Sequence, residues 1–387
     1  MEKNVWFRKG WFSLACALLV AAGCEELDDN VAEHTREDAV VPLSEVAQIL
    51  ASIPLGAEQF SEVAAAVASS SGNGYDEEYT MRDLFADPGA GVGEVRETRS
   101  EAERYAHPLR DLLAEAVAAH FATRAGATDP ESYLEALSSS DIQLYWPYAD
   151  EWDGETPPVI TYDPLDGGDR NVGYTPEGDK IIVDESVAQE RPVWVVNRNE
   201  DAEYKSLELL RREDSDWGKG GGSLLVRGGA EMKTLVLRSF KAHRNYDSWF
   251  AGGAEFFVKC GAVEDFTAST EAELKLYEPT ITDFMIVVRR KEAGLTLPFN
   301  AVLVSEWSSG LDQVAFMVNE DDGGTQTSWK GSAVVKYNSK AYGIEVSFPL
   351  NTRDDIVWRG QLSRRYIEKY SGKESRFGDV TLVLELI

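Results

Sequence analysis

The sequence predicts an α+β protein: an N-terminal helical domain, a small β-rich module and a C-terminal antiparallel β-sandwich. Three observations carry this. Apolar residues recur at helical spacing between Leu43 and Leu137. From about residue 141 the pattern changes to short apolar runs split by acidic turns. Beyond a glycine-rich stretch near residue 220, runs rich in Val, Ile, Leu and Phe alternate with polar residues, as strands with one face on a core do.

In chain order, Leu43, Val46, Ile49, Leu50 and Ile53 form the first helical stripe, which Pro54 ends. Phe60, Val63 and Val67 predict a second short helix, closed by the run from Ser69 to Gly74. The polar residues 75–94 read as a long loop. Leu109, Leu112, Leu113, Ala116, Val117 and Phe121 make the strongest stripe, with Pro108 where a first turn accepts it. Thr128-Asp129-Pro130-Glu131 is a capping box opening a fourth helix that buries Tyr133, Leu134 and Leu137. The helical domain is thus 43–139.

The β-rich module is 140–216, with strands expected at 142–148, 159–162, 180–183 and 193–196 and a short helix at 206–212. Gly218-Lys219-Gly220-Gly221-Gly222-Ser223 marks a linker at 217–230. The sandwich, 231–387, has strands expected at 233–241, 254–260, 281–290, 295–306, 312–318, 331–337, 343–350 and 379–386. Ile344/Val346/Phe348/Leu350 and Val380/Leu382/Leu384/Leu386 each share one face. Residues 320–324 (Glu-Asp-Asp-Gly-Gly) read as a hairpin turn, and a helical insertion is expected at 362–370.

The formal charge is −29. It is unevenly spread: residues 24–227 carry a net −28 and residues 228–387 a net −3. Such a field argues against nucleic-acid binding, which rests on Lys and Arg neutralising phosphates, and it attracts cations.

The first residues form a separate segment. Lys3, Arg8 and Lys9 precede an apolar run from Trp11 to Val20, then Ala21, Ala22, Gly23 and Cys24. This is the layout of a signal peptide, 1–23, and its end resembles the lipobox of bacterial lipoproteins. The resemblance implies cleavage before Cys24 and acylation of that cysteine, with the lipid bilayer as partner. Residues 24–42 are then an acidic tether. Glu25, Glu26, Asp28 and Asp29 resemble the export signal with which some Gram-negative bacteria send lipoproteins to the cell surface. The implied location is the cell envelope, at the outer membrane, facing either the periplasm or, where the acidic signal acts, the cell surface.

Of the three cysteines, Cys16 leaves with the signal and Cys24 is the lipidation site, so only Cys260 remains as a thiol. Phe256, Val258 and Cys260 share one strand face, and Cys260 reads as a small buried hydrophobe. The four histidines make no HExxH zinc pattern, and no GxSxG elbow is present.

Two constellations bear on function. One is acidic: Asp163, Asp166 and Asp169, then Asp247, Glu320, Asp321, Asp322, Asp354 and Asp355 at expected strand ends. Calcium takes several oxygen ligands from loops, and the general layout is similar to calcium-binding sandwich modules. Asp163, Asp166, Asp169, Asp321, Asp322, Asp354 and Asp355 are the candidate calcium ligands. The other is aromatic: Trp146, Trp152 and Trp249 lie near carboxylates and are candidates for stacking on a glycan. The sequence therefore supports two functions. The first is a non-catalytic recognition or assembly module binding an envelope protein or glycan. The alternative is an envelope hydrolase acting on glycans or peptides through paired carboxylates.

Overall fold

The structure is a computed structural model, which describes residues 41–86, 105–122, 129–199, 204–213, 226–227 and 230–387. Cys24, the signal and tether segments and most of the glycine-rich linker lie outside the described residues. Among those described, no helix is long and apolar enough to cross a membrane.

The architecture is the expected α+β arrangement of N-terminal helices and β-rich modules. The first part of the chain comprises α1 (Leu43–Ala51), α2 (Ala57–Gly72), β1 (Glu78–Thr80), α3 (Met81–Leu84), α4 (Leu109–Ala122) and α5 (Pro130–Ser138). It continues with β2 (Ile142–Tyr145), β3 (Val159–Tyr162), β4 (Asn171–Tyr174), β5 (Lys180–Val183), α6 (Glu185–Glu190), β6 (Val193–Arg198) and α7 (Leu207–Glu213). The strands form one sheet in the order β1-β2-β6-β3-β4-β5, antiparallel except where β3 runs parallel to β6.

The helices cover one face of this sheet. Leu50, Val63, Leu113, Val117 and Leu137 pack in one core with Ile142, Leu144, Trp146, Trp194 and Val196. The N-terminus of α4 is secured from α2, because the Glu62 carboxylate accepts the Leu109 N–H at 2.7 Å. That bond satisfies one of the donors a helix start leaves open. Two local expectations are corrected. The serine run continues α2 to Gly72, where Asn73 caps it by donating to the carbonyls of Ser69, Ser70 and Ser71. Residues 78–84 are not loop but β1 and α3, because Thr80 caps the Asp83 N–H at 3.1 Å.

The second part begins with a two-residue pair, β7 (Val226–Arg227) and β8 (Ala230–Glu231). It continues with β9 (Lys233–Ala242), β10 (Ala254–Ala262), α8 (Glu271–Leu274), β11 (Thr280–Val288), β12 (Leu297–Trp307), β13 (Leu311–Glu320), β14 (Gln326–Tyr337) and β15 (Lys340–Asn351). It ends with β16 (Asp355–Ser363), α9 (Arg364–Tyr370), β17 (Lys373–Phe377) and β18 (Val380–Leu386). One sheet runs β11-β10-β13-β14-β15 with β16 also on β13, and the other runs β12-β9-β18-β17. Phe256, Val258, Val314, Phe316, Leu237, Val380 and Leu382 fill the space between them. Cys260 sits in the same core as a free thiol, and burial raises its pKa far above the usual thiol range.

The expected hairpin at residues 320–324 is corrected. β13 pairs with β14 only near its start, through Leu311 and Gln313. Farther along, β16 takes β14's place, from Gln313 opposite Ser363 to Glu320 opposite Asp355. The splay opens the end of β13 to a third strand, and acidic residues gather there.

The two parts meet through a short aromatic loop before β10. Trp249 and Phe250 pack on the other face of the six-stranded sheet, against Tyr145, Val159, Val183, Val195 and Ala188 of α6. Asn197 donates to the carbonyls of Phe250 and Ala251, at 3.0 and 2.5 Å.

Candidate metal centre

The site is built where β10 begins and β13 ends. These strands are antiparallel neighbours with Phe256 opposite Glu320, so Glu255 and Glu320 fall at the same end of the sheet. The ladder runs one step further, as the Asp321 N–H donates to the Glu255 carbonyl at 3.0 Å. The third member, Asp247, comes from the loop that carries Trp249 and Phe250. That loop is pinned: the Arg290 guanidinium donates to the Asp247 carbonyl at 3.2 Å and the Gly252 carbonyl at 3.3 Å. The Gly253 N–H donates to Asp76 Oδ2 at 2.8 Å.

Carboxylate oxygens of Asp247, Glu255 and Glu320 all lie within 4.8 Å of one another. This acidic cluster has the composition to coordinate a divalent metal. Glu320 is fully buried, and neither of its carboxylate oxygens receives a hydrogen bond from the described residues. Burial, then the adjacent Asp247, push its pKa up to about 12. A buried carboxylate without donors is costly unless it holds a proton or meets a cation.

A second pair of carboxylates stands beside it. Asp354 Oδ2 accepts from Asn319 Nδ2 and from the Asn351 N–H, both at 2.9 Å. Asp321 Oδ1 accepts from the Gly323 N–H and Asn351 Nδ2, both at 3.0 Å. Their other oxygens are buried and receive no hydrogen bond from the described residues. Burial, with Asp321 beside it, pushes Asp354 up to about 7. Burial, then Asp355, raises Asp322.

The structure thus brings together Asp247, Glu320, Asp321, Asp322, Asp354 and Asp355 from the sequence-predicted acidic set. Of the other candidates, Asp163 shares a cleft with this site, while Asp166 and Asp169 stand apart from it. Asp163 lines a small cleft of about 40 Å³ that Asp247 and Glu255 also line, with Asp76, Arg198 and Asn199. Asp166 is exposed and accepts its own loop's Gly168 N–H at 2.8 Å. Asp169 is exposed too, and its carbonyl accepts the Trp249 indole N–H at 3.0 Å. Sequence reasoning left Glu255 out of the acidic set, and named Asp247 and Glu320 in that set without counting them among the candidate calcium ligands. The signal available for Glu255 was its position outside the Phe256/Val258/Cys260 alternation, but only the β10–β13 register puts it beside Glu320.

The aromatic candidates are corrected in part. Trp146 is 1 % exposed and Trp249 4 % exposed, so neither presents a ring face to a glycan. Both are held by the two faces of the six-stranded sheet. Trp152 is half-buried at the edge of a cavity. Arg364 donates to the carbonyls of Leu311 and Ser308 and lies over the Trp307 ring.

No family model, no curated protein and no solved structure matches the chain.

Proposed function

We propose that the protein is a lipid-anchored component of the bacterial cell envelope whose carboxylate centre holds calcium, and that this centre hydrolyses a glycan or peptide bond. The observation that carries the reading is Glu320, a fully buried carboxylate with no donor, facing two further carboxylates within 4.8 Å. A cation held there would keep the three carboxylates ionised together and would supply a hydrolase with an acidified water.

Calcium is the ion the donor set favours. Its oxygen ligands lie roughly 2.3–2.6 Å away, so oxygens up to about 5 Å apart can share one ion. The donors are all carboxylate oxygens, which suits a hard cation and gives no soft or nitrogen ligand for zinc or copper. When bound, the ion polarises a substrate oxygen or acidifies a water. Glu320, Asp247 and Glu255 would hold it, the last two from the cleft. Asn199, which donates to Glu78 and Gln143, and Arg198, paired with Asp141, line the same cleft and would orient the substrate. The acidic charge of residues 24–227 would raise the local cation concentration. Two or more acyl chains on Cys24 would give the stable anchoring that one chain cannot.

The test is calcium titration by calorimetry on wild type and Glu320→Gln, followed by incubation with peptidoglycan and cell-surface polysaccharide. The reading expects saturable binding lost in the variant, and products that appear with calcium and stop with chelator. Calcium binding without any product would return the protein to a recognition role. Absence of binding would remove the centre from the account.

A further inference from the structure

We propose that the cavity beside Trp152 binds a neutral sugar ring, at a site separate from the carboxylate centre. The cavity measures about 270 Å³, against about 40 Å³ for the cleft at the centre. That is just below the range of ligand pockets, roughly 300–1,000 Å³, and a size for a small ligand such as a sugar ring. Its walls divide by chemistry: Trp152 and Pro192 are apolar, while Tyr148, Gln189, Glu190 and Asp153 offer hydrogen-bonding groups.

Trp152, Tyr148, Gln189 and Asp153 are held before any ligand arrives. The Trp152 indole donates to the Thr156 carbonyl at 2.9 Å, and its ring packs edge-on against Trp146 at 5.3 Å. Tyr148 adopts φ +61°, the left-handed region, which costs a non-glycine residue on the order of 1–3 kcal/mol and is retained where surroundings impose it. They do so here. Its hydroxyl donates to Glu185 at 3.0 Å and accepts from Gln189 Nε2 at 3.3 Å, and its N–H donates to Glu77 at 3.4 Å. Asp153 is fixed by the Thr156 hydroxyl and two backbone N–H groups, which pull its pKa down to about 2 and keep it ionised. Preorganised groups do not have to be ordered on binding, which favours affinity.

The charge selects the ligand class. Glu151, Asp153 and Glu190 line the cavity with a single cation, Arg191, which donates to the Pro157 carbonyl at 3.4 Å. An anion would be repelled. A neutral sugar presents one apolar C–H face to the indole and hydroxyl donors to the carboxylates. The inference does not rest on the carboxylate centre being a hydrolase, or on its holding calcium.

The test is tryptophan fluorescence of the full chain titrated with glucose, N-acetylglucosamine and their α-1,4- and β-1,4-linked disaccharides. Saturable binding of at least one sugar is expected, unchanged by chelator. Trp152→Ala should weaken it about tenfold or more, with Trp152→Phe intermediate. Tyr148→Phe, which leaves the ring in place, should weaken it several-fold. Thermal melts identify any variant that fails to fold. No saturable change with any of these sugars, or undiminished binding in folded Trp152→Ala, overturns the proposal. So does binding only of phosphate or choline. Loss of calcium binding in Glu320→Gln with sugar binding intact separates the two sites.

Discussion

At the residue scale, several carboxylates sit where their charge is unwelcome. Glu77 is 4 % exposed, and burial, with Asp76 beside it, pushes its pKa up to about 8 against the opposing pull of Lys291. Lys291 is 3.8 Å away and also pairs with Asp150. The folded state therefore holds the Glu77 proton more tightly than the unfolded chain does. Its contribution to stability is fullest below about pH 4.5 and is lost as pH rises towards about 8. Glu77→Gln should keep the fold, flatten the pH dependence of unfolding in that window, and raise the melting midpoint at pH 8 by about 2–4 °C. A variant with the wild-type pH profile would show that Glu77 does not hold the proton. None of this was legible in the sequence, where Glu77 is one acid in a polar run. Its burial depends on β1 joining the sheet and on Lys291 arriving from residues more than two hundred positions later.

Strands and helices explain which readings succeeded. Stripes such as Val380/Leu382/Leu384 report one buried face directly, and the structure places all three in the core. Strands 159–162 and 180–183 were legible to the residue because acidic turns bound them on both sides. The short strand Lys373–Phe377 has no apolar alternation and went unseen, as did β16. The acidic centre was half legible. Its residues could be read as strand ends, but the splay that brings β16 beside Glu320 depends on long-range pairing. Trp249 reads from the sequence as a glycan-stacking candidate, yet with Phe250 it plugs the junction between the two parts of the fold. Trp249→Ala should lower unfolding stability in urea by about 3–5 kcal/mol, the range for truncating a buried aromatic. A loss under about 1 kcal/mol would show that this contact is dispensable. Arg290 joins the same junction, donating to Glu185 at 2.7 Å as well as to the Asp247 carbonyl. Arg290→Ala should therefore weaken calcium binding at the centre without removing a ligand. Wild-type calcium affinity in that variant would make the pin irrelevant to the site.

At the scale of the whole molecule, the arrangement follows the charge. Residues 24–227 carry nearly all the negative excess, and the sandwich is close to neutral. The acidic cluster takes its carboxylates from the sandwich, but its cleft is walled by Asp76, Glu78 and Asp163 of the acidic part. The anchor is a separate claim with its own check. Cys24→Ala should leave an unlipidated chain in the soluble fraction of a Gram-negative host, and continued partition with membranes would contradict the lipoprotein reading.

The central claim is that Glu320, Asp247 and Glu255 hold a divalent cation, and thermal unfolding tests it most directly. A ligand that binds only the folded chain stabilises it by about 2.7 kcal/mol at a hundred times its Kd. The account predicts that millimolar calcium raises the melting midpoint of the wild-type chain by several degrees over chelator. It also predicts that Glu320→Gln melts at one temperature in both conditions. Identical wild-type midpoints with calcium and with chelator would contradict it, and would leave Glu320 as a protonated side chain buried beside Asp247.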